Sequence, residues 1–141
     1  QELINVIGGL IDHEESLSVA VVGMGNLGRA ITAYFNGKRP KLNIVAAFDV
    51  DPNKVNRVVA GVNCFHMKDL SDVVKRSNIS IAIIAAPPDS AATVAELLVN
   101  AGIKGILNFT TVPVNVPESI YLEEYDMITS LEKVAYFVKQ N

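Results

Sequence analysis

The chain has 141 residues, about the size of one domain and too few for two ordinary ones. Half of the residues are hydrophobic, 19% are charged and the net charge is −3, which excludes a disordered chain and argues against a nucleic-acid-binding surface on these residues. A single cysteine excludes an internal disulfide and favours a reducing cytosol, and no apolar run approaches the roughly 18 residues that a membrane span requires.

The N-terminal segment begins with Gln1 and lacks the basic and apolar regions of a secretory signal. We therefore expect a fragment or processed product of a larger cytoplasmic protein. Apolar residues at helical spacing predict an amphipathic helix over residues 1–12, so residues 1–15 are interpreted as a linker helix.

Strands and helices alternate along the rest of the chain. Six short apolar runs predict strands at Leu17–Val22, Ile44–Phe48, Val62–Phe65, Ile79–Ala85, Gly105–Phe109 and Ile120–Tyr125. Helices are predicted at Asn26–Phe35, from Asp51 through Val55, Val58 and Val59, from Leu70 to near Asn78, and at Ala91–Ala101 with Gly102 as the terminating glycine. Continuous apolar strands separated by helices predict a doubly wound parallel sheet, a Rossmann-type α/β fold.

The C-terminal part departs from this alternation. Residues 110–119 contain two prolines and are predicted to form a loop. A terminal helix is predicted over about residues 128–140, with an apolar stripe and further apolar surface at Met127 and Phe137. A helix that is apolar beyond one face is either sandwiched in a core or covered by another chain.

A glycine-rich turn follows the first strand, in the sequence Val21-Val22-Gly23-Met24-Gly25-Asn26-Leu27-Gly28. In this G-x-G-x-x-G pattern the first glycine permits the tight turn, the second lets backbone approach a pyrophosphate, and the third allows the helix to pack closely on the strand. The phosphates would lie at the helix N-terminus, where unpaired N–H groups favour an anion. We predict that residues Gly23, Met24, Gly25, Asn26, Leu27 and Gly28 bind a dinucleotide, although the pattern alone also fits a simple strand-to-helix turn.

Asp49 strengthens the dinucleotide prediction. It follows Gly28 by 21 residues (49 minus 28), at the predicted end of the second strand. That is the expected position of a carboxylate that accepts hydrogen bonds from the adenosine ribose, and it repels the 2′-phosphate of NADP(H). The sequence therefore predicts NAD(H) as the ligand, with a strand-end cap as the alternative role of Asp49. Arg57 is interpreted as too distant to bind a 2′-phosphate.

Two further loops are predicted to complete the site, because ligands of open α/β sheets bind beyond the carboxyl ends of the strands. Ala86 and Pro87 follow the fourth strand, and Asn108, Phe109 and Thr110 follow the fifth. Asn108 and the threonines offer partners for a carboxamide or a ribose, and each also fits an ordinary capping role. For His66 and Cys64, structural roles are favoured.

The sequence does not indicate a catalytic half. Hydride-transferring enzymes need a substrate pocket and a positioned acid or base, and no substrate domain follows the sheet. His13 is predicted to lie behind the amino edge of the sheet, on the side opposite the site. A module that binds a dinucleotide without catalysing a reaction is favoured, and no metal site is predicted.

Three segments resemble the Rex family of redox-sensing transcriptional repressors, namely Val21–Ala30, Ala46–Pro52 and Ala101–Phe109, with a continuation at Val114–Pro117. The resemblance implies a cytoplasmic bacterial homodimer that binds operator DNA through an N-terminal winged-helix domain, absent from this chain. NADH binding would release the intact protein from DNA. It also implies that Tyr34 and Asp126 lie near the nicotinamide and that residues 128–141 form a domain-swapped dimerisation helix after a Rossmann domain at 16–127. Met127 stands where relatives often have phenylalanine.

Three alternatives stay open at this point. One is the cofactor domain of an NAD-dependent oxidoreductase whose catalytic half is elsewhere. Another is a CoA-binding domain like that of succinyl-CoA synthetase, which Ala85–Pro88 and Asn100–Lys104 resemble. Asp49 argues against CoA, because the carboxylate would face the 3′-phosphate. The third alternative is an interaction module in which the glycine turn has a purely structural role.

Overall fold

The computed structural model describes residues 16–38 and 41–140. The predicted linker helix and His13 lie outside the described residues. The strands are β1 (Leu17–Val22), β2 (Leu42–Asp49), β3 (Arg57–Val59), β4 (Val62–His66), β5 (Ile79–Ile84), β6 (Gly105–Asn108) and β7 (Tyr121–Glu124). The helices are α1 (Asn26–Phe35), α2 (Leu70–Arg76), α3 (Ala91–Ala101) and α4 (Met127–Gln140).

The strands form one seven-stranded sheet in the order β3-β4-β2-β1-β5-β6-β7. Every pairing is parallel except the antiparallel pair β3–β4. The chain therefore runs outward from β1 in one direction, through β2, and returns to continue through β5 in the other. This reversal places a crevice at the carboxyl ends of β1 and β5, which is where open α/β sheets bind their ligands.

Helices cover both faces of the sheet, which confirms the predicted doubly wound Rossmann-type fold. On one face, Ile31 of α1 packs on Val19, Val21 and Ala47. On the other face, α2 and α3 bury their apolar sides against β1, β2, β5 and β6, in a cluster that includes Val73, Leu98, Val22, Phe48 and Ile84. The near-continuous apolar strands are explained by this burial on both sides.

Most predicted elements agree with the structure to within two residues, and β1, α1 and α3 agree at both ends. Gly102 ends α3 in the left-handed conformation with φ 97°, and its N–H donates to the Leu98 and Val99 carbonyls. The Ile103 N–H also donates to the Leu98 carbonyl, at 3.1 Å. These bonds satisfy carbonyl groups that the helix end would leave unpaired, as expected for a glycine that ends a helix.

The predicted helix after Asp51 is wrong. Asp51 begins a single turn, in which its carboxylate accepts the Asn53 N–H at 2.9 Å, but the chain then forms strand β3. Val59 pairs with Val62 across a two-residue turn in which Ala60 and Gly61 both have positive φ, as a type I′ hairpin requires. Strand pairing with β4 and the β-branched valines outweigh the local helix-start signal.

Helix α4 extends over the predicted segment, but every described residue of it is exposed. Its apolar stripe comprises Ile128, Leu131, Val134 and Val138, which are 54–69% exposed. Phe137 and Met127, outside the stripe, are 65% and 56% exposed. These apolar side chains therefore have no covering surface among the described residues of the chain. None of the described helices is both long and apolar enough to cross a membrane.

Candidate functional site

A cleft of about 470 Å³ opens at the carboxyl edge of the sheet, where the strand order reverses. The glycine-rich turn between β1 and α1 forms its floor, the end of β2 forms one wall, and the loop after β5 forms the other. Its lining residues are Val22, Gly23, Gly25, Asn26, Leu27, Phe48, Asp49, Val50, Asp51, Lys54, Met67, Ala85, Ala86, Pro87, Ser90 and Val94.

The three glycines of the turn have different surroundings. Gly23 has φ +97°, and a Cβ there would lie 2.6 Å from the Ala86 nitrogen. A Cβ on Gly28 would overlap the carbonyl oxygen of Gly23. Gly25, in contrast, has open space, with no described atom within 4 Å of the position that a Cβ would take. Gly23 and Gly28 are therefore required for the turn itself, whereas Gly25 leaves space for a ligand beside the backbone.

The N-terminus of α1 faces this space. Gly25 is the N-cap residue with extended φ and ψ, and as a glycine it has no side chain that could cap the helix. The Asn26 side-chain oxygen instead accepts a hydrogen bond from the Arg29 guanidinium at 2.6 Å. Because the first amide groups of a helix lack intrahelical partners, the α1 terminus presents donors suited to a diphosphate.

Asp49 holds the turn and the end of β2 together. Its Oδ2 accepts the Met24 N–H at 2.7 Å, and its Oδ1 accepts the N–H groups of Val50 at 2.7 Å and Asp51 at 2.9 Å. Burial raises the pKa of this carboxyl, but the three backbone hydrogen bonds and the charge of Lys54 outweigh it, so the pKa is below its ordinary value. Two carboxylate oxygens offer about four acceptor positions, so one is still available to a ligand hydroxyl.

The Asp49 bonds bear on the alternatives that the sequence left open. The bonds to Val50 and Asp51 form a strand-end cap, and the bond to Met24 adds a link 25 positions away along the chain. Asp49 also lines the cleft. The structure thus gives Asp49 a bracing role beside any role in ribose binding.

Several lining residues were not assigned to the site from the sequence, among them Lys54, Met67 and Ser90. The Lys54 ammonium is 3.9 Å from an Asp51 oxygen and places a cation beside Asp49. Arg57 lies in β3 and does not line this cleft. The sequence signal that identifies Lys54 is its position three residues after Asp51, within one turn of chain.

Met24 and Gly28 support the cleft without lining it. The Met24 side chain is fully buried, and its sulfur lies 3.8 Å from the Thr32 hydroxyl. That hydroxyl donates to the Gly28 carbonyl at 2.8 Å, so Met24, Thr32 and Gly28 lock the first turn of α1 onto the loop. Leu27, Ala86 and Pro87 lie in the cleft wall as predicted residues of the site.

Asn108 and Thr110 bond to each other and to their own loop. The buried Asn108 amide donates to the Val112 carbonyl at 2.8 Å and to Glu124 Oε2 at 3.2 Å. Its oxygen accepts the Thr110 N–H and hydroxyl, at 2.9 and 2.8 Å. The Asn108 side chain thus holds the loop after β6 against the end of β7, and it does not line the cleft. The capping role is the one seen in the structure.

Tyr34 and Asp126 are not brought to the cleft within one protomer. Tyr34 lies near the end of α1 opposite the glycine turn, where it is 58% exposed and contacts Lys38. Asp126 caps α4, accepting the Thr129 N–H at 3.0 Å and the Thr129 hydroxyl at 2.6 Å. These bonds to Thr129 lower the pKa of the Asp126 carboxyl. A role for either residue near a nicotinamide stays a prediction.

His66 and Cys64 have the structural surroundings that the sequence favoured. The His66 Nδ1 accepts the Lys68 N–H at 3.1 Å and caps a short 3₁₀ turn. The Cys64 thiol is buried in β4, and burial together with the charge of Asp49 raises its pKa to about 11. At neutral pH it is therefore a protonated, unreactive core residue.

Comparison with known families identifies the domain type. Residues 14–112 match the family model described as CoA binding domain. This range covers the glycine turn, Asp49 and the loops after β5 and β6.

Two of the curated relatives illustrate the sequence similarity. The redox-sensing transcriptional repressor Rex of Listeria welshimeri is 35% identical over 92% of this chain and 60% of its own length. Rex of Anoxybacillus flavithermus is 41% identical over the same shares of both chains. This chain therefore spans about three fifths of the length of the curated relatives that it matches.

The solved structures agree with these relatives. The Rex-family repressor RSP in complex with β-NADH is 31% identical, with a TM-score of 0.82 over 90% of this chain and 61% of RSP. RSP in complex with β-NAD⁺ and operator DNA superimposes with a TM-score of 0.84, over 90% of this chain and 58% of that one.

Proposed function

Because the chain belongs to the CoA binding domain family and resembles Rex repressors over 92% of its length, we propose that it is the NADH-sensing domain of a redox-sensing transcriptional repressor. The observation that carries the proposal is the cleft at the strand-order reversal, which is lined both by Gly25, with open space where a Cβ would be, and by the Asp49 carboxylate. This arrangement fits a diphosphate joined to an adenosine ribose. NAD(H) supplies both groups, and RSP, with the same fold, binds β-NADH.

The charges of the cleft favour NAD(H) over CoA as the ligand. Asp49 and Asp51 line the wall where the adenosine ribose would lie, and Lys54 offsets one of the two negative charges. The 3′-phosphate of CoA would add charge beside these carboxylates, which is unfavourable. The family description alone therefore does not make CoA the ligand here.

A sensor is favoured over an oxidoreductase by the residues that line the cleft. Among the described lining residues, the titratable side chains are Asp49, Asp51 and Lys54, all near the predicted adenosine end. An acid or base at the opposite end, where a substrate would meet the nicotinamide, is not among them. The relatives are repressors, and we assign this domain to regulation rather than catalysis.

We extend the proposal to a homodimer in which α4 of each subunit packs on the other. Support comes from the exposed apolar stripe of α4 and from the partly exposed residues Ile81, Leu107 and Phe109 on the sheet face beside α1. In this arrangement residues 16–127 form the Rossmann domain and residues 128–141 the swapped helix. Tyr34 and Asp126, distant from the cleft of their own protomer, would then contribute across the interface.

Charge substitution on α4 tests the dimer. Leu131→Lys is expected to shift the chain from dimer to monomer in size-exclusion chromatography with light scattering, because it places an ammonium on the buried stripe. Glu132→Lys is the matched control, since it introduces the same side chain at a neighbouring position outside the stripe. A dimer that survives Leu131→Lys, or is lost equally in both variants, would contradict the swapped helix.

Operator binding is proposed for a longer protein that contains this chain together with a winged-helix domain, acting in the cytoplasm. Support comes from RSP, whose structure with β-NAD⁺ includes operator DNA. NADH binding would release the intact protein by favouring a subunit arrangement that does not fit the operator, through its higher affinity for that state.

Ligand titration tests the sensing function. The purified chain is expected to enhance and blue-shift NADH fluorescence at micromolar concentrations, whereas CoA at the same concentrations displaces no NADH in calorimetry. The intact protein is expected to leave operator DNA on addition of NADH and to stay bound with NAD⁺. Unchanged fluorescence at millimolar NADH, or equal DNA affinity with the two nucleotides, would refute the sensor.

A further inference from the structure

The nicotinamide end of a bound dinucleotide can be located from the topology. The cleft runs from the end of β2, where Asp49 lies, across the glycine turn to the loop after β5. A dinucleotide spans the two halves of a Rossmann sheet. With the adenosine ribose at Asp49 and the diphosphate at α1, the nicotinamide therefore lies beyond the carboxyl ends of β5 and β6.

An aromatic pair, Phe109 and Tyr125, lies beside that position, directly after β6 and β7; neither residue is among those that line the cleft. Phe109 follows β6 directly, and its N–H donates to the Ile84 carbonyl at 2.9 Å, which places it beside the cleft residue Ala85. The Tyr125 ring lies 4.9 Å from the Phe109 ring, centroid to centroid, at an interplanar angle of 31°. The Tyr125 N–H donates to the Asn108 carbonyl at 2.9 Å, so both rings are anchored by backbone bonds at the ends of neighbouring strands.

The two rings differ in exposure. Phe109 is partly buried and packs with Ala85 in the cluster on the α1 face of the sheet, whereas Tyr125 is 48% exposed. The pair thus presents an aromatic surface in which the Phe109 ring is packed against the domain and the Tyr125 ring is exposed to solvent. The described hydrogen bonds and ion pairs of the domain do not require an aromatic residue at position 125.

We propose that the Phe109–Tyr125 pair contacts the nicotinamide and determines how strongly the domain prefers NADH over NAD⁺. This assignment rests on the proposed function. The oxidised ring is cationic and the reduced ring is neutral, and aromatic faces attract cations. The pair therefore stabilises bound NAD⁺ more than bound NADH. Tyr125 thus lowers the ratio of the NADH affinity to the NAD⁺ affinity.

Substitution of Tyr125 by leucine tests the assignment in the full chain. NAD⁺ affinity is expected to fall about threefold to tenfold, because a cation–π contact of ordinary strength is lost, and NADH affinity by less than about twofold. Binding of ADP-ribose, which has no nicotinamide, is expected not to change. Tyr125→Phe, which keeps the ring, is expected to bind all three ligands as the wild type does.

Tyr121→Leu is the matched control. Tyr121 is the first residue of β7, four positions before Tyr125, and is 70% exposed, but it lies at the end of the strand opposite the cleft. The Tyr121→Leu substitution should leave the affinities for NADH, NAD⁺ and ADP-ribose unchanged. Equal loss of NADH and NAD⁺ affinity in Tyr125→Leu, or equal effects of the two leucine variants, would overturn the assignment. Wild-type protein that binds neither NADH nor ADP-ribose would instead refute the proposed function itself.

Phe109→Leu gives a second, independent variant. Because Phe109 supports the exposed ring, its loss is expected to change the NADH-to-NAD⁺ affinity ratio in the same direction as Tyr125→Leu. Thermal melting of each variant checks that it folds. A folded Phe109→Leu protein with a wild-type affinity ratio would contradict the pair as the nicotinamide surface.

Discussion

Replacing Gly25 with alanine is expected to lower NADH affinity about tenfold or more while leaving the fold intact. Apart from its two chain neighbours, a Cβ at this position meets no described atom within 4 Å, so the free protein accommodates the methyl group. The backbone at Gly25, φ −75° and ψ −160°, is also accessible to alanine. The methyl group instead occupies space beside the backbone that a diphosphate needs, which is why this glycine is required.

The stability of Gly25→Ala should change little, because two small effects oppose each other. Alanine is a poorer N-cap residue than glycine, but it also reduces the conformational entropy of the unfolded chain, each by an amount of about 0.5–1 kcal/mol. The melting temperature is therefore expected to stay within about 3 °C of the wild-type value. Calorimetric binding of NADH and thermal unfolding measure the two quantities separately.

Two other glycines provide the controls. Gly28→Ala is expected to destabilise the domain by about 3 kcal/mol, because its Cβ overlaps the Gly23 carbonyl and forces the turn apart. Gly105→Ala, at the amino end of β6, meets only ordinary contacts at 3.9 Å and should affect neither stability nor binding. NADH binding unimpaired by Gly25→Ala would contradict the placement of the diphosphate.

The fold was largely predictable because its signals are local. The glycine turn fixes the junction between β1 and α1, and Gly102 fixes the end of α3, so both were predicted at the correct residues. The segment from Asp51 to Val59 was not predicted correctly, since its local helix-start signal competes with pairing to β4, which depends on a hairpin with Ala60 in positive φ. Non-local pairing of this kind cannot be read from helix signals.

The candidate site was predictable in position and less so in detail. Gly23, Gly25 and Asp49 line a cleft at the predicted edge of the sheet, as do Ala86 and Pro87, and ligand binding by these residues stays a prediction. The polarity of Asn108 suggested a ligand contact, but its amide bonds to Glu124, 16 positions away, which the sequence does not reveal. Which polar side chains are used up by internal hydrogen bonds depends on packing between segments.

Asp49→Ala is expected to lower NADH affinity at least tenfold and to reduce the free energy of unfolding by about 1–3 kcal/mol. Both losses have one cause: the carboxylate that would accept a ribose hydroxyl also accepts the N–H groups of Met24, Val50 and Asp51. Without it the Met24 N–H loses its partner, and the glycine turn loses one link to β2 while the Gly23 N–H still donates to the Phe48 carbonyl at 2.8 Å. Asp49→Asn should be almost as harmful, because N–H donors approach both oxygens and an amide places its own donor against one of them.

NADPH separates the two roles of Asp49. If the carboxylate contacts the ribose, its removal relieves repulsion of the 2′-phosphate, and Lys54 in the same wall supplies a cation. The Asp49→Ala variant should then lose NADH affinity while its NADPH affinity is maintained or increased. The ratio of the NADH affinity to the NADPH affinity should therefore fall. Asp72→Ala, which removes an exposed carboxylate paired with Arg76 on α2, serves as the control and should change neither affinity. Equal losses for NADH and NADPH would restrict Asp49 to bracing the turn, and unchanged binding of both would remove the adenosine end of the site from this cleft.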